Sequence, residues 1–469
     1  MTAAGPELAL EAIRRASPLV DERGLRSIAR IAHHPDAPRW SRVAGDRLER
    51  DDLRAVDAFR ASLARERAPF GPGTPPEPVL AWVRRNAPLV PAFRERLPRA
   101  GALETAWTST RTTSREDLAT HPERLVPDDA PLERMIVYRT AGTTGHALLV
   151  PHHARAAACY LPLLELALAR WGIDARFGHD DVAMLVGAQA RTVTYATALA
   201  AWGQAGFAKL NLEPGLWPRD VAPRRFFADL APALLTGDPV AFAELMARGV
   251  TVRPRALVTT AVAMSDVLRA RLAAHFGAPV IDWYSLTETG PIGYACPRGG
   301  GAYHVLAHDL FVEAVDARGA QVAPGERGEI AVTGGRNPFL PLLRYRTGDW
   351  GRLDPGPCAC GDPMPRLVEL EGRAPVRLAA ADGRVVNPVD VSGVLRAHPV
   401  VQHELVQRAD LSCQLALRAV AGEPFDTAAL ERELRALFGD VPLAVRFDPT
   451  LGDRTGKIAP FRSELPFEE

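Results

Sequence analysis

The chain has 469 residues, more than one ordinary hydrophobic core accommodates, so two or three domains are expected. Hydrophobic content is 47% and charged content 24%, as in ordinary globular proteins, and 56 Lys+Arg against 56 Asp+Glu leave a formal net charge of zero. That balance argues against a general nucleic-acid binder, five cysteines argue against a disulfide framework, and the lack of an uncharged apolar run of about 18 residues argues against a membrane span.

Met1 to Leu10 has no basic region followed by an apolar core, so no signal peptide is expected and a reducing, cytoplasmic setting fits best. Glu7–Ala16, Asp21–His33 and Asp51–Glu66 carry apolar residues at three- and four-residue spacing and predict amphipathic helices in an N-terminal arm, residues 1–75. Phe70 to Pro78 is a turn-rich linker. Val79–Leu97 predicts a helix, and Ser114 caps another. An apolar run from Met135 to Tyr138 and another from Ala147 to Val150 predict strand, polar loop, strand. Beyond them, a helix is expected over Ala154–Trp171, a buried strand over Asp181–Gly187, a helix over Thr192–Gly206 and a strand over Phe207–Leu212. The alternation continues through Phe226–Leu235, Pro239–Gly249, Ala256–Thr260 and Ser265–Phe276. It implies an α/β fold with mostly parallel sheets covered by helices.

Four stretches carry chemistry. In Tyr138-Arg-Thr-Ala-Gly-Thr-Thr-Gly-His146, the glycines Gly142 and Gly145 permit backbone N–H groups to converge on an anion, and Thr140, Thr143 and Thr144 add hydroxyl donors. No Gly-Lys-Ser/Thr follows, so this is not a Walker A loop, and a ligand-free hairpin is the plain alternative. Val280-Ile-Asp-Trp-Tyr-Ser-Leu-Thr-Glu288 runs from a strand into a turn, where ligands of open α/β sheets bind. There Tyr284 can stack on a base, Asp282 can accept from an exocyclic amine, Thr287 can hold a phosphate, and Glu288 can hold Mg²⁺. Asp349 ends Leu342-Leu-Arg-Tyr-Arg-Thr-Gly-Asp349, where a carboxylate can accept both ribose hydroxyls or serve simply as a turn aspartate. Lys457 sits in a glycine-flanked loop of a chain that otherwise prefers arginine, and its ammonium can reach developing negative charge.

The order of these stretches, with Gly372-Arg373 between the last two, resembles the adenylate-forming superfamily of acyl-CoA synthetases, adenylation domains and luciferases. Asp282 to Glu288, with Cys296 and His304 downstream, is most similar to the phenylacetate–CoA ligase branch. The resemblance covers about residue 80 to the end. It implies a large adenylation domain, 76–371, joined by a hinge to a small mobile α+β domain, 372–469, carrying Lys457. That small domain suits helices at Pro388–Ala397 and Thr427–Phe438 and a strand at Leu411–Val420. It implies ATP-dependent activation of a carboxylic acid to an acyl-adenylate, then transfer to coenzyme A with release of AMP. By motif, Thr140, Gly142, Thr143, Thr144 and Gly145 hold the β/γ-phosphates, Asp282 and Tyr284 the adenine, and Thr287 the α-phosphate. Glu288 binds Mg²⁺, Asp349 the ribose, Arg373 the nucleotide, and Lys457 bridges carboxylate and α-phosphate.

Two departures carry information. The phosphate loop ends Gly145-His-Ala, where the family has Gly-x-Pro or Gly-Lys-Pro. Pro375 stands where the family has its pivot Asp or Lys, and proline fixes one backbone dihedral. Transfer to an amine or a carrier-protein thiol is therefore an alternative to coenzyme A, and a non-catalytic nucleotide-binding protein is a second alternative. Cys296, His304, Cys358 and Cys360 can close a tetrahedral structural zinc shell, with His308 a rival for the fourth place and reduced, partly buried cysteines the plain alternative. Cys159 and Cys413 read as core residues. The acyl pocket is expected between Asp181–Leu212 and the strand ends near Thr260. Gln189, Arg191, Tyr195, Trp202, Ala261, Ala263, Met264 and Tyr284 are its candidate lining, and an aromatic acid its expected occupant.

Overall fold

The computed structural model describes residues 10–65, 73, 75–98, 103–140, 148–189, 192–372, 376, 378–452 and 458–465. These divide into two compact units: residues of 1–47, 177–281 and 375–469 in the first, and of 48–176 and 282–374 in the second.

In the first unit, Val182–Gly187, Ala205–Asn211, Leu234–Gly237 and Ala256–Thr259 pair in parallel. The helices Ala222–Leu230 and Pro239–Ala247 connect the second strand to the third and the third to the fourth. Asp21 caps the helix Glu22–Ala32 by accepting from the amides of Arg23 and Gly24, at 2.8 and 2.9 Å. That helix buries Ile28 and Ile31 in one core with Met184, Ala196 and Ala208. Tyr195–Leu199 forms the antiparallel edge. The helix expected over Thr192–Gly206 is therefore corrected: Thr192-Val-Thr-Tyr-Ala-Thr is rich in β-branched residues and forms an edge strand. It turns through Ala200–Trp202 and Gly203, at φ +57°, into a hairpin with the next strand.

The C-terminal part of this unit has its own core, with Leu395, Leu405, Leu415, Leu430, Leu434 and Phe438 at its centre. It forms a four-stranded sheet, in the order Leu443–Phe447, Cys413–Ala419, Val400–Gln407, Phe461–Ser463. The helices Pro388–Ala397 and Thr427–Phe438 form where the sequence predicts them, capped by Asn387 and Asp426.

The second unit is mainly antiparallel. Its strands run Leu310–Val315, Arg327–Gly334, Leu342–Asp354, Arg366–Glu371, Tyr303–Val305, Gly290–Ala295, and then the end of Val280–Leu286. Ile136–Arg139 and Leu149–His152 pair antiparallel, near the two expected strands. Two helices expected as single pieces are broken by proline. Val79–Leu97 becomes Glu77–Asn86 and Pro91–Arg96, and Ala154–Trp171 divides at Cys159, where Pro162 has no N–H to give the carbonyl of Ala158. The described chain has no helix long and apolar enough to cross a membrane.

Candidate active site

The second unit brings together residues that lie far apart in sequence. Val280–Leu286 and Gly290–Ala295 form a hairpin whose turn is Thr287-Glu288-Thr289, closed by Gly290 at φ +68°. Tyr160 packs so closely that a Cβ on Gly290 would lie 2.5 Å from its ring, so the turn requires glycine. Thr287 is exposed at the tip, and Glu288 points inward with 3% exposure. Leu342–Asp354 carries Tyr345 and Asp349 to the same place. The Tyr284 hydroxyl donates to Asp349 at 2.9 Å, and the Tyr345 hydroxyl donates to Glu288 Oε1 at 3.0 Å. Burial, reinforced by the neighbouring carboxylates, keeps both phenols protonated well above their ordinary range, so both act as donors. Asp282 lies two residues before Tyr284, on the same strand face, and is partly buried. Gly372 stands against Asp349, 3.6 Å from Oδ1 at its Cβ position.

Two residues that sequence reasoning left without a role join this cluster. Arg115, the first residue of the helix Arg115–Thr120, forms an ion pair with Glu288. Its position follows from the Ser114 cap and from Thr113, whose backbone bonds both Arg344 and Arg346. Tyr345 lies inside a recognised motif, so its hydroxyl was visible in sequence; Arg115, 173 positions from Glu288, carried no such signal.

At the phosphate-grip stretch, Thr140 closes the hairpin. Its N–H donates to the Leu148 carbonyl and its Oγ1 accepts from the Leu148 amide, both at 3.0 Å. Gly142, Thr143, Thr144 and Gly145 lie outside the described residues, as do Arg191, Arg373, Pro375 and Lys457. Behind the hairpin, His152 is 2% exposed. Its Nδ1 donates to the His153 carbonyl and its Nε2 accepts from Tyr160, each at 3.0 Å.

The expected acyl-pocket residues of the first unit are not gathered. Tyr195 and the loop bearing Ala261 stand at the carboxyl ends of parallel strands. They are separated by four strand spacings, about 19 Å. Trp202 lies past the other end of the strand that Tyr195 begins, stacked on Phe177 at 4.1 Å, and Met264 is part of the core. Ala261 holds φ +79°, a conformation L residues avoid.

Cys296, His304, Cys358 and Cys360 converge, their ligand atoms all within 4.8 Å of one another. Cys296 and Cys358 sulfurs are 3.6 Å apart, and Cys360 Sγ is 3.1 Å from His304 Nε2. Tetrahedral zinc, with bonds of about 2.0–2.3 Å, sets ligand separations of about 3.5–3.8 Å, so the donor set fits in chemistry and size. His308 is outside this group. Backbone amides of Arg298 and Asp362 point at the sulfurs of Cys296 and Cys360, each at 3.4 Å, and His304 Nδ1 faces the Met364 carbonyl at 3.4 Å. These outer contacts aim Nε2 and two sulfurs inward. Cys159 is buried, its thiol pushed up to about 11 by desolvation, and Cys413 is likewise a core residue.

No family model matches the chain. It is 31% identical over 113 residues to a phenylacetate–coenzyme A ligase of Pseudomonas putida, covering 24% of this chain and 25% of that protein. It is 29% identical over 191 residues to the enzyme of the same name from Thermus thermophilus, covering 39% and 43%. The chain thus aligns with a quarter to under half of the length of these curated relatives. Among solved structures it is similar to a 2-hydroxyisobutyryl-CoA ligase in its postadenylation state with 2-HIB-AMP. The TM-score is 0.60 at 16% identity, covering 84% of this chain and 91% of that one. The open conformation of that ligase, with 2-HIB-AMP and CoA, gives 0.52 at 15% identity over 86% and 90%.

Proposed function

We propose that this chain, a sequence relative of the phenylacetate–coenzyme A ligases with the fold of the adenylate-forming ligases, activates an aromatic carboxylic acid with ATP and passes the acyl group to coenzyme A. The observation that carries the reading is the pairing of Tyr284 with Asp349 and of Tyr345 with Glu288 across two strands of one unit. It gathers into one cluster the ring we assign to base stacking and the carboxylates we assign to the ribose and to Mg²⁺.

The chemistry asks for charge stabilisation and needs no protein nucleophile. The acid attacks the α-phosphorus, forming the acyl–phosphate bond as the bond to pyrophosphate breaks. Thr287, exposed at the turn, is assigned the α-phosphate, and Glu288 would hold Mg²⁺, which neutralises phosphate charge when bound. Asp282 and Tyr284 orient the adenine. Thr140, Gly142, Thr143, Thr144 and Gly145 are assigned the β/γ-phosphates, Arg373 the nucleotide, and Lys457 the charge between carboxylate and α-phosphate. In the second half-reaction the thiol attacks the acyl carbon and AMP leaves. Pro375, at the family's pivot position, keeps an amine or carrier-protein thiol as the alternative acceptor. The organisation proposed is a helical arm, 1–75, an adenylation domain, 76–371, and a mobile domain, 372–469. The separate core around Leu405 and Leu430 supports an independent C-terminal part.

We assign structural zinc to Cys296, His304, Cys358 and Cys360, on the strength of their spacing. All four places are filled by protein, so such an ion clips two loops together and leaves no open position for a substrate.

The test is carboxylate-dependent ATP–pyrophosphate exchange, without acceptor, over a panel of aromatic and aliphatic acids. Exchange with one aromatic class supports the reading, and adding coenzyme A then identifies the acceptor. Folded, ATP-binding protein that exchanges with no acid would remove it.

A further inference from the structure

Glu288, the carboxylate assigned to Mg²⁺ above, is already neutralised. It is 3% exposed, paired with the Arg115 guanidinium, and accepts from Tyr345 on the same oxygen, Oε1. Arg115 is less constrained than its partner: its side chain retains 30% exposure against 2% for that of Glu288. The ring of Tyr345 is fully buried, whereas Arg115 reaches in from the first turn of a six-residue helix. Of the two groups on Oε1, Arg115 is therefore the one free to move.

We propose that Arg115 makes this site refuse a bare divalent cation and accept one only with a polyphosphate. The inference rests on Glu288 being the metal carboxylate. In the nucleotide-free protein a divalent ion at Glu288 meets a pair of zero net charge, with a guanidinium a few ångströms away and the neighbouring Asp349 carboxylate already accepting from Tyr284. Like charges at that range, in a partly buried site, cost kilocalories rather than tenths. A nucleotide triphosphate reverses the balance by bringing several negative charges, which attract the ion and give the guanidinium an alternative partner. Arg115 is thus a positioning residue. It holds the Glu288 carboxylate in one orientation while the site is empty, and it couples metal binding to nucleotide binding without touching the reacting carbon. Coupling of this kind is reciprocal: the metal should tighten the nucleotide by the factor by which the nucleotide tightens the metal.

The experiment is a titration of Mn²⁺ followed by electron paramagnetic resonance, on the full-length protein without nucleotide, with circular dichroism verifying the fold of each variant. The parent and Arg115→Lys should bind Mn²⁺ weakly and alike. Arg115→Gln should bind it at least about tenfold more tightly, the effect of one removed charge at this range. That gain should vanish in Arg115→Gln/Glu288→Gln. Equal Mn²⁺ affinity in the parent and in Arg115→Gln overturns the proposal. The reading of Glu288 is tested separately by Mn²⁺ with ATP. If Glu288→Gln leaves that ternary affinity unchanged, the metal lies elsewhere and both statements fall. If it weakens it while Arg115→Gln alone changes nothing, only the role of Arg115 falls.

Discussion

His152 ties the base of the phosphate-grip hairpin to the turn bearing Glu288. It accepts from Tyr160, whose ring packs on Gly290, so one buried imidazole supports both pieces. Burial lowers its pKa from 6.5 to about 4, the His153 carbonyl only partly compensating. Above about pH 6.5 the ring is neutral both folded and unfolded. Between 6.5 and about 4 the unfolded chain takes a proton that the folded one refuses, so stability is lost as pH falls through that window. The gap is worth at most about 3 kcal/mol. Denaturant unfolding at pH 7 and pH 5 should reveal the loss, and His152→Gln should remove about one proton's worth of slope; equal slopes in parent and variant would discount this residue. Tyr345 gives a second prediction. Its hydroxyl meets a buried carboxylate, so Tyr345→Phe should cost about 1.5–3 kcal/mol in unfolding free energy, as for hydrogen bonds to charged groups. A loss below a few tenths would mean that Arg115 alone satisfies Glu288.

At the scale of elements, the sequence was legible where one signal dominated. Ser114 caps a helix where expected, because a short acceptor before an apolar-periodic run has few other uses, and the expected helices after Asp21, Asn387 and Asp426 prove to be capped by those residues. Reading failed where two signals competed. Pro88 and Pro162 interrupt apolar periodicities that continue across them, and Thr192–Gly206, expected as a helix, begins with β-branched residues that favour the strand found at Tyr195–Leu199. The cysteine turns were legible as chemistry but not as geometry. Gly361, at φ +82°, turns the chain so that the Asp362 amide faces Cys360, a backbone detail that spacing alone does not disclose. The prediction at this scale is metal content. Protein purified without added metal should carry about one zinc, and Cys360→Ser should lose it together with several kcal/mol of stability. Less than about a tenth of an equivalent in the parent would count against the site.

For the whole molecule, the candidate site was legible as residue types and order, not as partners. Asp282, Tyr284, Glu288 and Asp349 were named from motifs, but their pairing needs side chains 65 positions apart, on strands that are not neighbours in the sheet, to meet, and Arg115 comes from a third segment. The pocket residues fared worse, because Tyr195 and Trp202 share a short strand and turn yet lie at its opposite ends. Lys457 is the residue on which the proposed two-step reaction turns. Of 56 Lys+Arg residues only Lys209 and Lys457 are lysines. Lys209 lies partly buried on a strand, where desolvation and then Arg42 lower its pKa, so Lys457 is the lysine left in a glycine-flanked loop. An ammonium delivers a compact charge to the carboxylate and α-phosphate together, whereas a guanidinium is larger and planar. Lys457→Ala should therefore cut pyrophosphate exchange by about 10²–10³, the effect of one lost transition-state donor, and Lys457→Arg should not restore it. ATP binding should be largely kept in both. Because a supplied acyl-adenylate already holds the carboxylate bonded to the α-phosphate, the joining step that Lys457 assists is past, and single-turnover transfer from it should survive in Lys457→Ala. Loss of both half-reactions together would mean that the residue holds the nucleotide throughout, and unchanged exchange would take Lys457 out of the mechanism.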